Sequence, residues 1–401
     1  MNRQLRPEVA DVFREHGCQF LQRYAGMLSP QQHRVLTDIV RCRTPALGGH
    51  KWRCDSCGHE EISYNSCRNR HCPKCQATAR AQWLDREAQF LLDVQYFHVV
   101  FTLPAALGPL ALRNKRQIYG ALFAAAAETL LAIARDPKHL GAHIGFLMVL
   151  HTWSQNLQLH PHVHCVVPGG GLSSDRKEWI PSRKGFFLPV RVLSRLFRTK
   201  FLKELARMYA SEELSLTGQV ASLRDAGAWE VFINSLCHKE WVVYSKPPFG
   251  GPQQVLKYLA RYSHRVAISN QRIISLNNGK VRFRWKDYAH GGKPGVMALE
   301  AVEFCRRFLL HVLPKSFVRI RHYGFLSNRL RKEKLAIIRS LIAQAARQTT
   351  MPEPQGERNE KQQEPTKERV CPHCKKGRLV LVEEVPAIST RLLAPHFQDT
   401  S

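Results

Sequence analysis

His160-Pro161-His162-Val163-His164-Cys165-Val166-Val167-Pro168-Gly169-Gly170-Gly171 is the stretch on which the reading of this chain turns. An apolar run closed by a proline and three glycines predicts a strand over 162–167. Side chains alternate between the faces of a strand, so His162 and His164 project together while Val163 points into a core. His160 shares their face only if the strand continues back through Pro161. Two imidazoles on one face of a sheet can hold a divalent metal with positions left open for a substrate oxygen. Such a centre needs about one more protein ligand. Gln155, His151 and His160 are close by in the chain. An amide oxygen suits Mg²⁺ or Mn²⁺ better than a third imidazole, which favours Gln155. The plainer alternative is a pair of core histidines satisfied by hydrogen bonds.

Working outward, Phe97–Leu103, stopped by Pro104, and residues 144–153 (IGFLMVLHTW) predict two further strands, with a polar turn over Ser154–Pro161. Residues 106–137 have the pattern of a helical hairpin, Val190–Tyr209 that of a helix, and Trp241–Ser245 that of a short strand. A Pro/Gly-rich turn at Pro247–Pro252 then leads into a helix over Gln253–Arg265. Tyr258 and Tyr262, four residues apart, fall on one face of that helix, with Arg261, His264 and Arg265 around them. A phenol can attack a phosphodiester and become covalently linked to it. It must first give up a proton of pKa about 10, which nearby cations or a metal favour. Two amphipathic tyrosines at a helix–core boundary are the alternative. Beyond them, Ile273–Leu276 and Lys280–Lys286 flank Asn277-Asn278-Gly279, a hairpin signal, and a basic helix is expected over Ala301–Leu313.

Upstream, residues 1–48 have helical spacing, with Val9, Val12, Phe13, Phe20 and Leu21 on the apolar side. There follow Cys54-x-x-Cys57, Cys67 and Cys72-x-x-Cys75, then a polar helix over Thr78–Val94. Two CxxC knuckles at this spacing are a zinc signature, each presenting two thiolates from a tight turn. Cys54, Cys57, Cys72 and Cys75 are the expected ligands of one structural Zn²⁺, with Cys67 and His71 as spare candidates. Arg68, Arg70 and Lys74 lie among them as candidate phosphate contacts. Residues 346–370 are nearly devoid of apolar side chains and are expected to be a disordered linker. The tail from 371 to 401 opens on Cys371-Pro372-His373-Cys374, half of a zinc site, which His373 and His396 or a second copy of the chain could complete. The linear division is thus 1–95, 96–345, 346–370 and 371–401.

Charge bounds the partners. Lys and Arg number 60 against 32 Asp and Glu, a formal net charge of +28. A field of that sign attracts polyanions, nucleic acid first. The N-terminus carries charge throughout and is not a secretory leader. The most apolar stretch, Ala121–Ala134, contains Glu128 and is too short to span a bilayer. A cytoplasmic protein without a membrane segment is expected, and in that reducing compartment the 12 cysteines point to metal rather than disulfides.

Asn65–Cys75 (NSCRNRHCPKC), Phe101–Pro104 (FTLP), His160–Gly171 (HPHVHCVVPGGG) and Tyr258–Asn270 (YLARYSHRVAISN) occur together and in this order. In that combination, from about residue 10 to about 330, the chain resembles the insertion-sequence rolling-circle transposases of the two-tyrosine HUH class, which carry an N-terminal zinc-binding domain. The resemblance implies an α+β catalytic core like that of relaxases and replication initiators. That core is an antiparallel sheet with packed helices, preceded by a helical zinc-binding domain, with the Phe97–Leu103 strand central. It implies that His162 and His164 are metal ligands and that Tyr258 and Tyr262 are nucleophiles. It also implies attack on single-stranded DNA at the element ends, a 5′-phosphotyrosine, and joining to target DNA. A plasmid relaxase or replication initiator, and a non-catalytic zinc-finger DNA-binding protein, are the competing readings.

Overall fold

The computed structural model describes residues 6–185, 187–249, 254–256, 258–259, 266–287, 291–327, 329, 331–349 and 369–388. The chain begins with helices α1 (Val9–Tyr24) and α2 (Pro30–Arg41), strands β1 (Gly49–Cys54) and β2 (Glu60–Tyr64), and helix α3 (Pro73–Ala88). It continues through β3 (Tyr96–Thr102), α4 (Gly108–Arg113), α5 (Lys115–Arg135), β4 (Gly145–Trp153), β5 (Leu159–Pro168), β6 (Gly170–Leu172), β7 (Trp179–Pro181), α6 (Val190–Ala210), α7 (Ala226–Cys237) and β8 (Val243–Phe249). Past a helical segment at 254–256 and 258–259 come β9 (Ile273–Asn277), β10 (Lys280–Asp287), β11 (Lys293–Glu300), α8 (Ala301–Leu310), β12 (Ile320–Gly324), α9 (Arg331–Thr349) and β13 (Leu379–Val385).

Ala79–Ala267 and Leu313–Met351 form one compact unit. At its centre is a five-stranded antiparallel sheet in the order β12-β4-β5-β3-β8. Strand alternation sorts its two faces. Phe97, Val99 and Phe101 of β3, Phe146, Met148 and Leu150 of β4, and Val163 and Cys165 of β5 enter the main core with residues of α5 and α6. The intervening residues Tyr96, Leu147, Val149 and Val166 face the other way, into a smaller cluster with Trp83, Val255, Tyr258 and Leu259. The central strand is β5, with β3 beside it, not β3 as the resemblance implied. The short β4–β5 turn seats β4 on one side of β5, which leaves β3 the other side and β8 the outer place. Helix α5 extends beyond Ala121–Ala134 and is long and apolar enough to cross a membrane, but 67% of its most apolar window is buried inside the fold. It is the core helix of this unit.

The second unit gathers Met1–Thr78, Ile268–Val312 and Pro352–Ser401. Its helices start where the sequence caps them. Ser29 and Gln32 form a reciprocal capping box, with Pro30 in the first turn of α2. The apolar stripe of α1 packs Phe13 edge-on against Phe308 of α8, ring centroids 5.5 Å apart. Asn278 and Gly279 take left-handed φ values of 52° and 72° between β9 and β10, the two-residue turn that Asn-Gly favours. A three-stranded sheet, β13-β1-β2, completes the unit. Contacts therefore divide the chain otherwise than the linear scheme: residues 268–312 and 369–388 pack with the N-terminal region. Most of the 346–370 linker expected from composition lies outside the described residues.

Candidate active site and metal centres

Strand β5 does continue back through Pro161, so His160, His162 and His164 lie on one face. On the neighbouring strand His151 pairs directly with His162. One ligand atom from each of His151, His162 and His164 falls within 4.8 Å of the others. Their ring centroids are 5.5 Å (151–162), 4.5 Å (151–164) and 4.8 Å (162–164) apart. The His162 Nδ1 lies 2.6 Å from the His160 carbonyl oxygen, which can only accept, so Nδ1 carries the proton and Nε2 keeps its lone pair. Burial pushes His162 down to about 4. The imidazole is thus uncharged at neutral pH, the form that ligates metal. Gln155, the sequence-based choice for third ligand, sits half-buried in the β4–β5 turn, and His151 of β4 joins His162 and His164 in the cluster. This all-imidazole set fits a divalent transition ion such as Mn²⁺ more readily than Mg²⁺.

The Tyr258 phenol reaches the same face of the sheet. Its oxygen is 2.5 Å from His98 Nε2 and 3.3 Å from His164 Nδ1, and those two nitrogens are 2.8 Å apart. The His98 and His164 rings stack with centroids 5.1 Å apart and planes at 12°. Burial first, then the charge of Lys246 and His162, push His98 down to about 3. His98 was not singled out in the sequence. Its signal was there: a polar residue in the apolar run FHVVFT, in phase with Thr102 and out of phase with the core positions Phe97, Val99 and Phe101. Tyr262, Arg261 and Arg265 lie outside the described residues.

Eight of the twelve cysteines fall into two groups of four, and neither is the expected set of 54, 57, 72 and 75. Cys72 and Cys75 join Cys42 and Cys67, while Cys54 and Cys57 join Cys371 and Cys374. The Sγ separations are 3.6 Å for Cys42–Cys75 and Cys67–Cys75, 3.7 Å for Cys54–Cys374 and 3.8 Å for Cys57–Cys371. A tetrahedral zinc with Zn–S of about 2.3 Å sets its sulfurs about 3.8 Å apart, whereas a disulfide bond is about 2.05 Å. Both four-thiol sets therefore fit a closed structural zinc. Within the first, thiols of Cys67 and Cys72 donate to Cys42 and hold it well below the usual thiol range. In the second, backbone N–H groups of Gly377 and Lys376 lower Cys374 to about 6. Among the bases, Arg68 is exposed, Arg70 is half-buried with its guanidinium pKa lowered by desolvation, and Lys74 is ion-paired with Glu8 at 2.6 Å. Arg68 is the one best presented to a polyanion.

Two family descriptions match the chain: "Transposase zinc-binding domain" over residues 12–103 and "Putative transposase" over residues 145–334. The chain is 52% identical over 379 residues to a protein of Sinorhizobium fredii named "Putative transposase y4qJ", covering 94% of this chain and 95% of that protein. It is 29% identical over 308 residues to the transposase for insertion sequence element IS801 of Pseudomonas savastanoi pv. phaseolicola, covering 76% of this chain and 72% of that one. A solved structure of the conjugative relaxase TrwC with oriT DNA, in metal-free form, aligns over 62% of this chain and 71% of that chain. Its identity is 14% and its TM-score 0.22, too low to bear on the fold.

Proposed function

This chain belongs to the insertion-sequence transposases that carry a zinc-binding domain, and on that premise we propose that it cuts and rejoins single-stranded DNA through a 5′-phosphotyrosine. The observation that carries this reading is the Tyr258 phenol at the edge of a three-histidine cluster, 3.3 Å from His164. The Tyr258 oxygen attacks the scissile phosphorus, the O–P bond forms, and the P–O3′ bond breaks. The uncharged His98, with Nε2 as its acceptor nitrogen, is placed to take the phenolic proton. The departing 3′-oxygen gains a proton and becomes a free 3′-OH, so no net proton is released. The energy of the broken bond is kept in the phosphotyrosine, so the 3′-OH of another strand can attack it without ATP. Tyr262, four residues further along the chain, repeats the step on a second strand. Mg²⁺ or Mn²⁺ held by His162, His164 and a third donor, His151 or Gln155, would polarise the scissile phosphate. Zinc at the cysteine sets builds the DNA-binding part, with Arg68 and Arg70 of that unit and Arg261 and Arg265 near the tyrosines as phosphate contacts.

The test is a denaturing gel of the full chain with labelled single-stranded DNA from the element ends, with Mn²⁺ present. A covalent band is expected from the wild type and from at least one single Tyr→Phe variant, and none from Tyr258→Phe/Tyr262→Phe. An adduct that persists in the double variant, or no adduct from zinc-loaded protein that binds this DNA, contradicts the proposal.

A further inference from the structure

The two cysteine sets differ in where their ligands come from. Cys42, Cys67, Cys72 and Cys75 all lie inside the stretch matched as a zinc-binding domain, residues 12–103. The other set takes two ligands from that stretch and two from positions 371 and 374, near the far end of the chain.

The two half-sites are built alike. In the first, Gly58 N–H donates to the Cys54 carbonyl at 3.1 Å and Cys54 N–H to the His59 carbonyl at 2.8 Å. In the second, Lys375 N–H donates to the Cys371 carbonyl at 3.0 Å and Cys371 N–H to the Gly377 carbonyl at 2.8 Å. Gly58 and Lys375, each four residues after the first cysteine of its pair, take left-handed φ values of 70° and 58°. Each turn thus aims two thiols to one side, and the two turns face each other. They are also tied across. Asp55 N–H donates to the Arg378 carbonyl at 3.0 Å, and Arg378 N–H to Asp55 Oδ1 at 2.8 Å. A side chain on Gly377 would put its Cβ 2.5 Å from Cys54 Sγ, so only glycine allows this approach. Past the knuckle, β13 pairs with β1 from Cys54↔Leu379 to Gly49↔Val385.

Apolar burial does little to hold this tail. Of β13 only Leu379 is buried, and Val380, Leu381 and Val382 are 49%, 49% and 46% exposed. An edge strand with so little buried surface is marginal by itself. Four thiols at zinc spacing are the strong link. We propose that Cys54, Cys57, Cys371 and Cys374 bind a second zinc ion, and that the zinc-binding domain is a composite of both ends of the chain, closed by that metal. An N-terminal fragment would contain Cys54 and Cys57 and still leave their site half-built. The catalytic unit is thereby encoded between the two halves of a single metal centre.

The test is zinc content per chain together with retention of the tail. Full-length protein should carry two zinc ions, and Cys371→Ser/Cys374→Ser one. A chain ending at residue 368 should also carry one, although Cys54 and Cys57 are intact. Because such variants could misfold, a second arm keeps every cysteine: a protease site is inserted between 352 and 366 and the purified protein is cut. The fragment beginning near 369 should co-elute with the rest on gel filtration and leave it when zinc is stripped with a chelator. One zinc in the wild type, two in Cys371→Ser/Cys374→Ser, or a fragment that departs while zinc remains bound would each overturn the proposal.

Discussion

The cysteine centres of one unit and the histidine centre of the other present metal ligands in opposite styles. Each cysteine set gathers four soft thiols within 4.8 Å of one another, with Sγ pairs as close as 3.6 to 3.8 Å, a set that would close on a tetrahedral metal and leave no place for a substrate. The histidine set offers three imidazoles whose ligand atoms lie within 4.8 Å of one another, on a sheet face, with a tyrosine hydroxyl alongside. Thiolate sets take the place of a hydrophobic core, and their metal is part of folding. The imidazole set sits on a sheet already held by a large apolar core on its other face, so a metal held there, as proposed, would be free to serve chemistry. On the proposed function, ligand type would keep a permanent metal and an exchangeable one apart.

Substitutions on the two sides should have effects of different kind. The largest is expected from His162→Ala: covalent adduct formation falls by a hundredfold or more, on the scale of several kcal/mol of charge stabilisation, while the thermal midpoint of zinc-loaded protein stays within a few degrees. A parallel loss of folding would erase the distinction. Cys72→Ser should do the reverse, since removing a ligand from a closed site costs stability outright. One zinc per chain is lost, the N-terminal unit becomes protease-sensitive, and DNA binding weakens. Intact zinc content in that variant would count against the grouping with Cys42, Cys67 and Cys75.

Smaller effects sharpen the comparison inside the histidine site. His98→Phe removes the nitrogen 2.5 Å from the Tyr258 oxygen and 2.8 Å from His164. Outer partners of metal-ligating histidines typically matter by about 10- to 100-fold, so adduct formation should drop by that much. His98→Gln, which can still hydrogen-bond, should recover part of it. An unchanged rate in His98→Phe would remove His98 from the account. The smallest effect is on stability. His98 and His162 have folded-state pKa values of about 3 and about 4, below the ordinary histidine value. With no metal at the histidine cluster, the unfolded chain therefore takes up protons that the folded chain does not. Stability is complete above about pH 6.5 and declines as pH falls toward 4 and then 3. Thermal midpoints of protein with its zinc retained, measured from pH 7 to 4, should show this decline, and His162→Gln should flatten it.

Much of the catalytic sheet was legible in the sequence because its strands are long, apolar and bounded by turn residues. Phe97–Leu103, 144–153 and the histidine strand all match observed strands, and Asn278-Gly279 marks its hairpin. Other strands were hidden by their composition. β11 reads KPGVMALE, with a proline, a glycine and no fully buried residue, and β13 is mostly exposed. The cysteine grouping was unreadable for a different reason. CxxC spacing fixes which two thiols share a turn, but not which turn meets which, and that choice is made by sheet pairing between β1 and β13. Cys42 carries no spacing signal at all, since it enters its site from the end of α2. His151 was in view as a neighbour of His162. Its direct cross-strand pairing depended on the β4–β5 register, which the turn sets and the sequence leaves open.

The separation of a permanent from an exchangeable metal is tested most directly by brief EDTA treatment of the full-length protein. Zinc content and adduct formation on element-end single-stranded DNA are measured on the same sample, before treatment, after it, and after Mn²⁺ is added back. The expected result is unchanged zinc, an adduct that disappears with EDTA, and its return with Mn²⁺ alone. Adduct formation that survives EDTA, or that is lost and regained only with zinc, would contradict the account.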